Sequence, residues 1–139
     1  MKKNSLAISL AIGLMLAFSS SIKAENPKGS DSIVGRWELC MPDGKTSENP
    51  KVRQKVYAKN SYVVLEVDKE KNTTFVDFIG TISYVGDDKL TETPIYSNAM
   101  ITDILSKDFE FFWKVEGDYL YLMGVKGNQF KEIWIRVSN

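Results

Sequence analysis

The recurrence of short strand-like runs is the feature that most limits what this 139-residue chain can fold into. From residue 33 onward, runs rich in Val, Ile, Thr, Tyr, Phe and Trp end at turn residues every eight to twelve positions or so. Such a pattern is typical of an antiparallel sheet whose neighbours in sequence are joined by tight turns. The turn residues are Pro42-Asp43-Gly44, Gly86-Asp87, Gly117-Asp118 and Gly127-Asn128.

Alternation within the runs predicts which residues share a face of the sheet. The run 52–58 alternates, and one of its faces is expected to point inward. The residues on that face are Val52, Gln54, Val56 and Ala58. Gly80 interrupts the run 73–85, which predicts a bulge or a sharp bend there. The pattern therefore gives eight strands or nine, depending on whether Gly80 separates two of them.

Residues 97–106 break the strand pattern. Met100, Ile101, Ile104 and Leu105 recur at helical spacing, which predicts one short helix across an end of the sheet. Closing a meander into a barrel leaves no sheet edge exposed. The sequence therefore predicts an all-β fold, an antiparallel up-and-down barrel of eight to nine strands with one short helix near 97–106.

The N-terminal segment 1–24 has the pattern of a secretory signal peptide, with two lysines, an apolar run and small residues before the cut. We place cleavage after Ala24, with Ser21 as the alternative. The apolar run is shorter than the roughly 20 residues of a spanning helix, and we expect a protein that does not span the membrane. The expected organisation is a flexible leader at 25–32 and one domain at 33–139, exported to the periplasm or the medium.

Charge and composition exclude several classes of function. Removing 1–24 takes away three lysines and no acid, so 18 basic against 18 acidic side chains become 15 against 18. A net charge of this sign disfavours nucleic acid as a partner, because phosphate binding needs clustered Lys and Arg. The chain has no histidine, the commonest general base and metal ligand. We therefore expect no catalysis, no metal site and no cofactor.

Two short motifs resemble the lipocalin and calycin signature: Gly35-x-Trp37 on the first strand and Trp134-x-Arg136 on the last. The resemblance implies a clasp in which Arg136 lies across the Trp37 indole and Gly35 permits the close approach. Together with the hairpin 80–92, these motifs make residues 33–137 similar to small exported bacterial lipocalin-like proteins of uncharacterised function. Pattern alone leaves open which face of the last strand points inward.

An eight-stranded barrel either fills itself with side chains or holds one small ligand. The first hypothesis is non-covalent binding of a small apolar or amphipathic ligand in an interior cavity. Its candidate lining residues are Tyr62, Met100, Ile104, Phe111 and Trp113.

The alternative hypothesis is a filled barrel whose outer surface binds a protein or a glycan of the cell envelope, with no partner indicated by the sequence. Aromatic residues are favoured at such contact surfaces. The candidates for exposed contact residues are Tyr57, Phe112, Tyr119 and Tyr121.

Overall fold

The computed structural model describes residues 29–98 and 102–138, which form a closed antiparallel barrel of eight strands. Each strand pairs with its neighbour in sequence, and the last strand pairs with the first. The predicted all-β up-and-down barrel is thereby confirmed. A 3-10 turn at Ser30–Ser32 precedes the strands, which are β1 (Gly35–Leu39), β2 (Lys51–Tyr57), β3 (Ser61–Asp68), β4 (Thr73–Val85), β5 (Lys89–Ser97), β6 (Phe109–Glu116), β7 (Tyr119–Gly124) and β8 (Lys131–Arg136).

Gly80 lies inside one long strand, β4, rather than between two strands. The register of β4 against β5 shifts between Ile79 and Gly80, as the interrupted run predicts. A Cβ atom at Gly80 would lie 2.5 Å from the Thr93 carbonyl oxygen and 2.5 Å from the Tyr62 ring. Only glycine fits this position, where the chain bends without ending the strand.

One end of the barrel is filled with large side chains. Trp37 and Leu90 are fully buried there, and the Trp37 indole Nε1 donates a hydrogen bond to the Ile33 carbonyl oxygen at 2.8 Å. The Tyr84 and Trp113 rings pack edge to face, with centroids 5.9 Å apart. Since protein interiors tolerate few voids, this end acts as the solid base of the barrel.

Arg136 ties the last strand to the first at this filled end. It lies directly opposite Trp37 in the β1–β8 pairing, with its guanidinium carbon 4.1 Å from the Trp37 ring centroid. The same guanidinium donates hydrogen bonds to the carbonyl oxygens of Ser32 at 2.6 Å and Val34 at 3.2 Å. A Cβ atom on Gly35 would lie 2.7 Å from the Arg136 Nη1 atom, so a glycine leaves room for the guanidinium.

Replacing Arg136 with alanine is expected to lower the free energy of unfolding by about 1–2 kcal/mol, because the cation–π contact and two hydrogen bonds are lost. Urea denaturation followed by circular dichroism measures the change. Arg53→Ala is the matched control, because it removes only a half-exposed ion pair with Asp77, whose contribution is about 0–1 kcal/mol. An Arg136→Ala midpoint equal to that of the parent chain would contradict the clasp.

The segment 97–106 differs from the predicted helix. Ser97 is the last residue of β5, and residues 103–106 form turns; residues 99–101, including Met100, lie outside the described part of the chain. The Ser106 amide donates to the Pro94 carbonyl oxygen at 2.7 Å, and Ser106 has a positive φ of 62°. These features hold the segment against β5 and stop a helical run, so its apolar spacing does not correspond to a helix in the described residues.

The inward face of β2 is the opposite of the predicted one. Lys55 and Tyr57 point into the barrel, whereas Ala58 is exposed and Gln54 lies on the outer face. Gln54 is nevertheless buried, because it accepts a hydrogen bond from Arg36 at 2.6 Å and donates one to Glu38 at 2.9 Å. Both faces of β2 are therefore covered. For this reason, the valines of β2 do not identify its inward face.

Within residues 29–98 and 102–138, no helix combines the length and the apolar composition needed to cross a membrane.

Candidate functional site

A buried lysine and two glutamates meet inside the barrel. The Lys55 Nζ atom lies 3.0 Å and 3.1 Å from the two carboxylate oxygens of Glu92, and 3.4 Å from Oε2 of Glu132. Lys55 and Glu92 are almost fully buried. The three residues come from β2, β5 and β8, and the closed barrel turns all three side chains toward one interior.

The electrostatic environment keeps Lys55 charged. Burial by itself lowers the pKa of the ammonium, since it penalises the charged form. Attraction to Glu92 and then to Glu132 outweighs burial, so the pKa of Lys55 is raised above its usual value. The cluster therefore holds a permanent cation beside two carboxylates.

Two aromatic donors fix the carboxylates in place. The Tyr57 hydroxyl donates a hydrogen bond to Oε1 of Glu92, and the Trp134 indole Nε1 donates to Oε2 of Glu132 at 2.9 Å. Burial and then the nearby Glu92 charge raise the pKa of Tyr57 well above its usual value. Tyr57 thus stays a neutral donor at physiological pH.

Aromatic rings surround the Lys55 ammonium. The distance from Nζ to the ring centroid is 4.8 Å for Trp134, 5.7 Å for Tyr62 and 5.9 Å for Phe111. The negative faces of these rings attract a cation. Burial and then the two glutamates raise the pKa of Tyr62 as well, so its hydroxyl also remains protonated.

A cavity of about 280 Å³ lies over this cluster. Its volume lies just below the roughly 300–1,000 Å³ that ligand pockets occupy. Phe130 and Arg53, both largely exposed, lie at its rim. The lining residues are Arg53, Lys55, Tyr62, Val64, Phe78, Glu92, Pro94, Ile104, Phe109, Phe111, Phe130, Glu132 and Trp134.

The structure brings three of the five predicted lining residues to this cavity: Tyr62, Ile104 and Phe111. Met100 lies outside the described residues. Trp113 does not line the cavity, because it packs against Tyr84 in the filled end of the barrel. Its indole Nε1 is buried, with no hydrogen-bond partner among the described residues.

The charged residues at the base of the cavity were missed by sequence reasoning. Glu92 and Glu132 alternate with apolar or β-branched neighbours, the ordinary pattern of a solvated strand face. The sequence did contain one indication of their position. Glu132 and Arg136 lie on the same face of β8 as Trp134, so the orientation of Trp134 decides where Glu132 points. The structure places that face inward, because Trp134 is buried and pairs with Leu120 of the core.

Of the aromatic residues predicted to be exposed, Tyr57 is an error: it is 1% exposed and lies in the barrel interior. Phe112 and Tyr121 are partly exposed and line an outer groove of about 480 Å³ across β6, β7 and β8. Tyr119 packs against Tyr121, with ring centroids 6.3 Å apart. The groove is larger than the interior cavity, and Glu132 is among its lining residues. Its other described lining residues do not belong to the buried charge cluster around Lys55.

The free energy of unfolding is expected to fall as pH rises above about 10, where tyrosine in an unfolded chain begins to ionise. The raised pKa values of Tyr57 and Tyr62 keep both protonated in the fold, so the unfolded state binds fewer protons. The loss from each such tyrosine approaches about 1.4 kcal/mol per pH unit as the pH passes the pKa of unfolded tyrosine, and Lys55 acts in the same direction.

Urea unfolding between about pH 8 and pH 11 measures this loss, and Tyr57→Phe should reduce its slope. A free energy of unfolding that stays constant across this range would contradict the protonation states assigned to the cluster.

In the described parts of the chain, no three His, Cys, Asp or Glu side chains are grouped so that they could hold a metal ion. A scan against protein-family models and a search of curated proteins found no match for this chain.

Proposed function

We propose that this protein is an exported barrel that binds one small amphipathic molecule non-covalently. The observation that carries the proposal is the interior cavity of about 280 Å³, which has aromatic walls and a charged base. The aromatic side chains suit an apolar body, and the carboxylates suit a polar head. Pockets that bind small molecules combine these two features: mostly apolar lining and a few placed polar groups.

The contrast between the two ends of the barrel supports binding over a purely structural core. Trp37 and its neighbours fill one end, whereas Phe78, Phe109 and Phe111 border open space at the other. A filled barrel gains stability from close packing, so the space above Lys55 is unfavourable for stability alone. We assign that space to a ligand.

Export and the absence of catalysis belong to the same proposal. Export is supported by the signal-like pattern of residues 1–24. Binding without chemistry is supported by the interior groups themselves, because the Lys55 ammonium is engaged by two carboxylates and is not free as a nucleophile or base.

Native mass spectrometry of the full chain, expressed with its own N-terminal segment and purified without detergent, tests the proposal. We expect a fraction of the protein to carry one extra small mass, which solvent extraction then releases for identification. Phe111→Trp, which fills part of the cavity, should lose this mass, and Phe112→Trp on the outer face should keep it. A chain that is empty and that takes up no added small amphipathic probe would overturn the proposal.

The outer groove supports a second candidate function, a contact surface for a protein or glycan partner. Phe112, Tyr121 and Met123 are partly exposed in it and lie between Lys114 and Lys131. Aromatic residues and methionine are enriched at contact surfaces. A barrel that stays empty in the test above would favour this second function.

A further inference from the structure

The charged groups that line the cavity do not balance. Arg53 at the rim pairs at 3.1 Å with Asp77 on β4, two strands away. Among the described lining residues, this leaves Lys55 as the one interior cation facing Glu92 and Glu132. One carboxylate charge in the described lining therefore has no counter-charge. An uncompensated carboxylate in a partly buried site is costly, and a cation brought by a ligand would offset that cost.

Hydrogen bonding identifies which carboxylate is available. The three N–H groups of an ammonium match the three oxygens around Lys55, which are both oxygens of Glu92 and Oε2 of Glu132. Oε1 of Glu132 makes no hydrogen bond to any described residue. The Glu132 side chain is also 22% exposed, against 7% for Glu92. Glu132 is thus the acceptor that a ligand can reach.

The surrounding rings favour the same charge. Trp134 and Phe111, which already face the Lys55 ammonium, also line the cavity, together with Phe109. Their ring faces attract cations and repel anions. An anionic head would be repelled by the two carboxylates at the base of the cavity. The Lys55 ammonium, which could offset this repulsion, is already engaged by both of them.

We infer that the ligand carries a protonated amine, which donates to Oε1 of Glu132 while its apolar body lies among the aromatic rings. This inference rests on the proposed function and adds the chemical class of the ligand: a small organic amine with an aromatic or aliphatic body. Its specificity comes from Glu132, the accessible member of the buried cluster.

Isothermal titration calorimetry of the full chain with three matched probes tests the inference. The probes are phenethylamine, 2-phenylethanol and 3-phenylpropionate, which share an aromatic body and differ in head-group charge. We expect the amine to bind about tenfold to hundredfold more tightly than the alcohol, as one charge-assisted hydrogen bond provides, and the carboxylate to bind more weakly than either.

Two variants locate the effect. Glu132→Gln keeps an acceptor for Trp134 and should reduce amine binding to the level of alcohol binding, with alcohol binding unchanged. Glu116→Gln removes the same charge from an exposed side chain outside the cavity and should leave all three affinities unchanged. Thermal unfolding of each variant verifies that it is folded.

The outcomes separate this inference from the proposed function. Equal binding of amine and alcohol, or an amine preference that survives Glu132→Gln, overturns the inference and leaves a ligand-binding barrel. Binding of none of the three probes overturns the inference, and it overturns the proposed function as well if the chain is also empty in native mass spectrometry.

Discussion

Replacing Lys55 with methionine is expected to lower the free energy of unfolding by about 3–5 kcal/mol, the usual cost of removing one partner from a buried ion pair. The methionine fills a similar volume, so the loss is electrostatic rather than steric. Glu92 and Glu132 would be left close together around an apolar side chain without a counter-charge. Urea denaturation near pH 7, with circular dichroism as the readout, measures the loss.

The matched control removes the positive charge of the cluster together with its two negative charges. Lys55→Met combined with Glu92→Gln and Glu132→Gln should recover most of the lost stability, because a neutral cluster has no buried unpaired charge. The recovery distinguishes an electrostatic defect from a packing defect, which the extra substitutions would not repair. A single Lys55→Met variant within about 1 kcal/mol of the parent chain would contradict the buried cluster.

Replacing Trp37 with alanine is expected to lower the free energy of unfolding by about 3–5 kcal/mol, as large aromatic truncations in a core do. Trp37 is fully buried, and its indole carries both the hydrogen bond to Ile33 and the stacked guanidinium of Arg136. The alanine leaves a cavity at the filled end and removes the ring contact of the Arg136 guanidinium. Chemical denaturation provides the measurement.

Trp37→Phe separates packing from the polar contacts. The phenyl ring keeps much of the apolar area but has no N–H for Ile33, so its expected loss is smaller than that of alanine. Within the Trp37→Ala background, adding Arg136→Ala should cost less than it does in the parent chain, because the contact is already absent. Full additivity of the two losses would show that the two residues do not interact.

Local patterns in the sequence predict the barrel well, because turns and strand alternation depend on near neighbours. Gly80 illustrates how far such reasoning extends: its isolated position inside a β-rich run predicts a bend, and the register shift at Ile79 and Gly80 matches it. The choice between one strand and two at this point depends on pairing with β5, which no local pattern contains.

The charged base of the cavity depends on contacts that are distant in sequence. Lys55 is 37 residues from Glu92 and 77 from Glu132, and only the closed register of eight strands brings them together. The orientation of β2 was missed for a related reason. Its outer face is covered by a polar network around Gln54. The valines of β2 therefore lie on the outer face and Lys55 on the inner one, the reverse of what alternation alone predicts.

The apolar spacing of residues 100–105 shows a different limit. Helical spacing is informative only where the backbone is free to form a helix, and a backbone hydrogen bond ties Ser106 to Pro94 of β5. In the described part of the segment, Ile104 contributes to the cavity from a turn. The predicted role of Ile104 as lining therefore does not depend on the predicted helix.

The indole N–H resonances of the three tryptophans provide the most direct test of the cavity as a binding site. Phenethylamine and 2-phenylethanol are added in turn to the ¹⁵N-labelled full chain, with Trp134→Phe used for assignment. We expect a shift of the Trp134 resonance, because its Nε1 donates to Glu132 in the cavity, and no change for Trp37 and Trp113. A Trp134 resonance that does not move with either probe, or a shift confined to Trp113 beside the outer groove, would contradict binding in the cavity.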